Sequence, residues 1–238
     1  MAYWITHTIV AEKVCEKLSF LDKKGFCIGN IAPDCNIENE DWTAFEPPRE
    51  VTHFMSGNKK RMADCEKFFD AYVKGKRFAS DEHYSFLLGY YSHLVTDVKW
   101  LEYMHNEDRV RACYERIKKI PELYGRIRDL PIEYYSIKNT FGKRCFLDDV
   151  VDIEHGYIIE NPENFYNDIL RQTAEFPDYM DFLPEGAIAR KIGIMAYEPP
   201  TETAEKEHIF YTAEEYKWFI TDMTELICKL ITDKCSQN

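Results

Sequence analysis

Glycine is scarce, with 10 among 238 residues, against an average share of roughly 7%. That scarcity leans the chain towards helix. No run of about 18 apolar residues occurs, so no transmembrane segment is expected. Basic residues are the minority, 30 Lys and Arg against 42 Asp and Glu, for a formal net charge of −12. Such a chain repels nucleic-acid backbones and anionic membranes, which argues against stable nucleic-acid binding through a broad basic face. Cys-x-x-Cys pairs are absent, and the eight cysteines (Cys15, Cys27, Cys35, Cys65, Cys113, Cys145, Cys228, Cys235) are irregularly spaced. Free, mostly buried thiols in a reducing compartment are expected. The N-terminal stretch lacks a basic start, a long apolar run and a small-residue cleavage site, so no signal peptide and a cytoplasmic location are expected.

What is present suits a soluble globule: 45% hydrophobic and 30% charged residues. The length can bury a sizeable core and is read as one helical domain over 1–238. Apolar spacing predicts helices over 6–22 (capped by Thr6 and ended by Gly25), 55–75, 80–104, 107–119, 146–158, 162–175 and 213–234. Ser80 and Thr212 are expected caps. Residues 29–34, 36–50, 120–145 and 178–211 read as turn or loop by their Gly and Pro content. The fold class is therefore all-α, a multi-helix bundle with no convincing sheet.

The helix over 80–104 is apolar on most faces, which places it at the centre of a domain. It nevertheless carries His93 and Asp97, one turn apart on a shared face. Burying a carboxylate there is costly unless it is paired or bound to a cation. A His–Asp hydrogen bond in the core is one account; a metal-ligand pair is the other, since both residues suit divalent zinc. Asp34 follows Pro33 in a turn. His53 follows Thr52, and His7 follows Thr6. Singly these are weak signals, each read as readily as a turn, cap or surface residue. Together they form an ordered set of His, Asp, His, then His-x-x-x-Asp on an apolar helix.

That set, with Trp4, the segment Gly29-Asn30-Ile31-Ala32-Pro33-Asp34 and the run from Gly89 to Asp97, resembles the zinc-dependent phospholipase C family. The fold relatives of that family include the single-strand-specific zinc nucleases. The resemblance is specific over 1–105 and fades afterwards. It implies an all-helical domain with a metal cluster between its central helices. One zinc would be held by Asp34, His53, His93 and Asp97, and a second by His7 with Asp97 as a bridge. Such ions activate water and stabilise charge on phosphate oxygens. The base would be Asp34 or a metal-bound hydroxide.

The chain departs from the family pattern in places. Secreted members use the amine and carbonyl of an N-terminal tryptophan, whereas Trp4 lies three residues inside. A third zinc in those members takes two histidines and a glutamate, the latter two at His-x-x-x-Glu spacing. The candidates here are His105 and His155, but position 159 is Ile; Asp152, one turn before His155, is a substitute. The expected cofactor is thus one to three zinc ions. His83, His208 and Glu12 read as solvent-facing, and Lys59-Lys60-Arg61 and Lys99 as solvated or phosphate-facing. Trp4, Tyr90, Tyr91, Trp100 and Tyr103 read as core, with an ammonium cage as the alternative.

The resulting expectation is a metal-dependent hydrolase of a phosphate ester, with a small-molecule or lipid phosphodiester as partner. The rivals are a nuclease or nucleotidase and a non-catalytic, metal-stabilised helical binding module.

Overall fold

The computed structural model describes residues 2–55, 62–142, 144–198, 201–203 and 206–236. The fold is all-α. Among the described residues the only sheet is a two-residue antiparallel pair, β1 (Ile37–Glu38) and β2 (Phe45–Glu46). No described helix is long and apolar enough to cross a membrane. The chain divides into two compact units, Met1–Val98 with Pro162–Glu198 and Asp222–Asn238, and Lys99–Asn161 with Pro199–Thr221.

The first unit opens with α1 (Trp4–Lys17) and α2 (Lys23–Gly29). A single 3₁₀ turn (Ala32–Asp34), the hairpin, the one-turn helix α3 (Arg49–Thr52) and α4 (Cys65–Tyr72) follow. The long helix α5 (Asp81–Met104) starts in this unit, with Ser80 Oγ accepting the His83 amide at 3.1 Å as expected of a cap. Val10, Val14, Phe26, Ile28, Phe68, Phe86, Leu88 and Leu94 form its apolar interior.

Two glycines set how α2 meets α5. A Cβ on Gly29 would lie 2.0 Å from the Phe86 carbonyl oxygen, and one on Gly89 would lie 2.3 Å from that of Phe26. The two backbones touch, and only glycine fits. Asp22 caps α2 by accepting the Gly25 amide at 2.7 Å, and its own amide donates to Ser85 Oγ.

The second unit holds the end of α5, α6 (Glu107–Lys118), α7 (Pro121–Ile127), α8 (Tyr134–Phe141), α9 (Arg144–Glu160) and the start of α11 (Ala213–Cys235). The intervening helix α10 (Ala187–Met195) belongs to the first unit. Asn106 caps α6. At the start of α11 Thr212 and Glu215 cap each other reciprocally, the Glu215 amide on Thr212 Oγ1 at 3.2 Å and the Thr212 amide on Glu215 Oε2 at 2.9 Å. Asp149 is buried and accepts the amides of Phe210 and Tyr211.

Several local expectations are corrected. The first helix starts at Trp4, and Thr6 is a buried residue within it, not its cap. Gly25 lies inside α2. The loop assigned to 120–145 contains α7 and α8: Pro121 sits in the first turn, where its missing N–H has no helical partner to lose. The loop assigned to 178–211 contains α10, entered through Gly186 at φ 73°. The helix expected over 162–175 is only a π-type turn, Tyr166–Leu170. Of the helix expected over 55–75, the described part is α4.

Candidate metal centre

Five of the singled-out side chains converge within the first unit. His7 comes from α1, Asp34 from the 3₁₀ turn, His53 from the C-terminal end of α3, and His93 and Asp97 from successive turns of α5. All are buried. They form two groups that share His93, namely His7, His93 and Asp97, and Asp34, His53 and His93, each with ligand atoms within 4.8 Å of one another.

The surroundings orient both histidine rings and fix the tautomer of His93. His93 Nδ1 lies 2.7 Å from the Asn30 carbonyl oxygen. A carbonyl only accepts, so Nδ1 carries the proton and Nε2 presents a lone pair. The glycine contact makes this bond possible, because it brings the end of α2 against α5. Thr52 Oγ1 donates to the Arg49 carbonyl at 3.3 Å and lies 2.9 Å from His53 Nδ1. The Thr52 hydroxyl thus holds the His53 ring by Nδ1 and leaves Nε2 facing the cluster. The two Nε2 atoms stand 3.3 Å apart.

The remaining separations are similar. His53 Nε2 lies 3.4 Å from Asp34 Oδ1 and 3.6 Å from Asp97 Oδ2. His93 Nε2 lies 3.9 Å from Asp97 Oδ2, and His7 Nε2 lies 3.5 Å from Asp97 Oδ1. The His7 and His93 rings stack at 3.8 Å. Hydrogen bonds of this kind are shorter. Four ligand atoms bonded to one zinc at 2.0–2.1 Å stand about 3.3 Å apart at the vertices of a tetrahedron. Both ring nitrogens of His7 are buried without a hydrogen-bond partner, which is costly unless a cation satisfies one of them.

Burial pushes the His53 imidazole down to about 4, with Arg49 adding to the effect and Asp34 opposing it. Burial likewise holds His93 well below the ordinary histidine value. Both rings therefore stay neutral at neutral pH, the form in which imidazole binds a metal. Burial alone would raise the Asp97 carboxyl, but its contact with His7 outweighs that and the carboxyl is held well below the usual carboxylate range.

Three further groups complete the site. Trp4 Nε1–H donates to Asp34 Oδ2 at 3.2 Å, leaving Oδ1 to face His53. The Ala2 amide donates to Asp97 Oδ1 at 2.9 Å, and Arg49 Nη2 donates to Asp97 Oδ2 at 2.6 Å. Sequence reasoning gave Trp4 a place but not this role, and missed Ala2 and Arg49. The signal for Arg49 was its position one turn before His53.

A profile of the family described as zinc dependent phospholipase C matches residues 6–231. The chain belongs to the zinc-dependent phospholipase C family. No curated protein and no solved structure shows a significant match. Family membership names the chemistry in outline, zinc-dependent hydrolysis of a phosphodiester, and the donor set fits the metal. Histidine nitrogens and carboxylate oxygens are zinc donors, the two Nε2 atoms face each other at 3.3 Å, and neither ring nitrogen of His7 has a hydrogen-bond partner.

The remaining candidate ligands lie outside these two groups. Neither metal-capable group among the described residues includes His105 or His155. His105 is half-buried and packs its ring at 4.4 Å from that of Tyr134. His155 is half-buried on α9. Asp152 is taken by His208 Nε2 at 2.7 Å, so His208 is not the solvent residue its charged surroundings suggested. Nor is His83, whose ring stacks on Tyr179 at 4.2 Å. Glu12 is buried and accepts the Phe165 amide at 2.8 Å, correcting its reading as a solvated charge. Lys99 pairs with Glu102 on the surface of α5. Tyr90, Tyr91 and Trp100 are core residues, and Tyr103 stacks on Trp218. Lys59, Lys60 and Arg61 lie outside the described residues.

Proposed function

We propose that this family member hydrolyses a small or lipid phosphodiester at a zinc centre held by Asp34, His53, His93 and Asp97, with His7 and Asp97 taking a second ion. The observation that carries the reading is the convergence of the Nε2 atoms of His53 and His93, 3.3 Å apart, with carboxylate oxygens on either side. Zinc, when bound, supplies Lewis-acid stabilisation of phosphate charge and makes a water nucleophile more acidic.

The chain's own residues do the rest. Asn30 and Thr52 hold the two imidazoles by Nδ1, which fixes the orientation of both rings and the tautomer of His93. Trp4 steadies the Asp34 carboxylate through Oδ2. In this reading Asp34 would also act as the general base, with Oδ1 beside His53 as the oxygen that Trp4 does not hold. The reading carries a cytoplasmic location, supported by eight cysteines that are all unpaired.

The test is elemental analysis of protein purified without added metal, beside hydrolysis of p-nitrophenylphosphorylcholine and bis(p-nitrophenyl) phosphate. Zinc bound with turnover of either ester supports the reading. Zinc with turnover of single-stranded oligonucleotides alone would favour the nuclease reading. Zinc with no turnover would favour a metal-stabilised binding module, and no zinc uptake would sink all three.

A further inference from the structure

Arg49 is the cation that the site's metal-ligand chemistry does not use. Its guanidinium makes one hydrogen bond among the described residues, from Nη2 to Asp97 Oδ2 at 2.6 Å. Arginine usually meets a carboxylate with both tines of its fork. Here one tine is engaged and the N–H groups of Nε and Nη1 are left over. The side chain is 26% exposed whereas Asp97 is 7% exposed, so the unused edge is on the solvent side of the cluster. The Asp97 oxygen it touches is also the one that faces His53 and His93. A carboxylate oxygen has two lone pairs, so Arg49 and an ion can share Oδ2 without displacing one another.

A guanidinium beside a cation site weakens metal binding by repulsion, and a chain that needed only the ion would do better without it. The cost is offset if the ligand that arrives is an anion. We propose that Arg49 binds non-bridging oxygens of the substrate's phosphate through the guanidinium N–H groups that Asp97 leaves free, with Asp97 serving as the anchor that aims it. This rests on the zinc-centre reading above. Guanidinium geometry matches two oxygens of a tetrahedral phosphate, which lysine as a point charge does not. The backbone supports the placement: the Arg49 carbonyl accepts both the His53 amide at 2.8 Å and the Thr52 hydroxyl. Arg49 and His53 are thus parts of one turn, and the anion-binding group is built at a fixed offset from a ligand.

The experiment uses inorganic phosphate as probe. Zinc-loaded wild type, R49K and R49Q are titrated by calorimetry, and the zinc content of each is measured after the same dialysis against chelator. R49Q should keep its zinc and bind phosphate about tenfold to a hundredfold more weakly, the loss expected for charge-assisted hydrogen bonds. R49K should fall between. Equal phosphate affinity in wild type and R49Q overturns the assignment. So does loss of zinc from R49Q, which would make Arg49 a positioning residue for Asp97. Wild type that takes up zinc but binds no phosphate overturns the role of Arg49 and leaves the zinc centre standing; wild type that takes up no zinc overturns both.

Discussion

His53 Nε2 and His93 Nε2 face each other at 3.3 Å. The Asn30 carbonyl takes the His93 proton on the far side of that ring, and Thr52 holds His53 by Nδ1. With the Asp34 and Asp97 carboxylates beside them, the two nitrogens make a cluster of donor atoms that a cation would satisfy.

That cluster should make zinc a strong stabiliser. At a thousandfold excess over its Kd, a ligand bound only by the folded state contributes about 4 kcal/mol. For a chain of this length the corresponding rise in Tm is on the order of 10 °C. Differential scanning fluorimetry with and without chelator checks it. His93→Ala should abolish the zinc-dependent shift and the bound zinc, and a variant with full occupancy would refute the proposed ligand set.

Trp4 should tune the metal without touching it. Trp4→Phe keeps the ring and removes the N–H that steadies Asp34. Loss of such an outer hydrogen bond typically weakens metal affinity about tenfold to a hundredfold. Competition with a chromophoric chelator measures this, with circular dichroism expected to stay unchanged.

The glycine contact between α2 and α5 should tolerate no side chain. Gly29→Ala would place a Cβ 2.0 Å from the Phe86 carbonyl oxygen, and we expect a loss of about 3 kcal/mol or more in urea unfolding, together with zinc. Gly193→Ala is the control: nothing lies within 4 Å of its Cβ, so a helix-stabilising gain of about 0.5–1 kcal/mol is expected. Equal behaviour of the two variants would contradict the packing described.

A buried ion pair gives a pH signature. Glu38 receives both nitrogens of Arg190 and the buried Lys191 Nζ at 2.7 Å. The Arg190 hydrogen bonds, followed by those of Lys191 and against the opposing effect of burial, hold its carboxyl down at about 2. The folded value is depressed, so the stabilisation is complete above the ordinary value of 4.5 and is lost as pH falls towards 2. Glu38→Gln leaves Lys191 buried without its partner, and about 3 kcal/mol should be lost at pH 7. The gap between variant and wild type should narrow at pH 3 in urea unfolding.

The sequence made His93 and Asp97 legible because both lie on one helix, where four-residue spacing puts them on one face whatever else the chain does. His7, Asp34 and His53 could be grouped with them only through the family pattern. Arg49, and the role of Trp4, escaped for a different reason: the Arg49–Asp97 and Trp4–Asp34 contacts join residues 48 and 30 apart, and no local periodicity encodes such pairs. The helices α7 and α10 were obscured by Pro121 and Gly186, which break a helix interior but open a helix when they stand at its start. Asp152, a candidate from its spacing to His155, is instead paired to His208 across 56 residues.

The backbone contact at Gly29 and Gly89 acts as a gauge block. Side-chain packing can relax by rotamer changes, but two main chains in contact can move neither closer nor, without opening a void, apart. The distance from the Asn30 carbonyl to the His93 ring is therefore inherited from the helix pair and not from the residues around it. Drift in the surrounding apolar residues can change the stability of this protein while leaving the spacing of its donor atoms where it is.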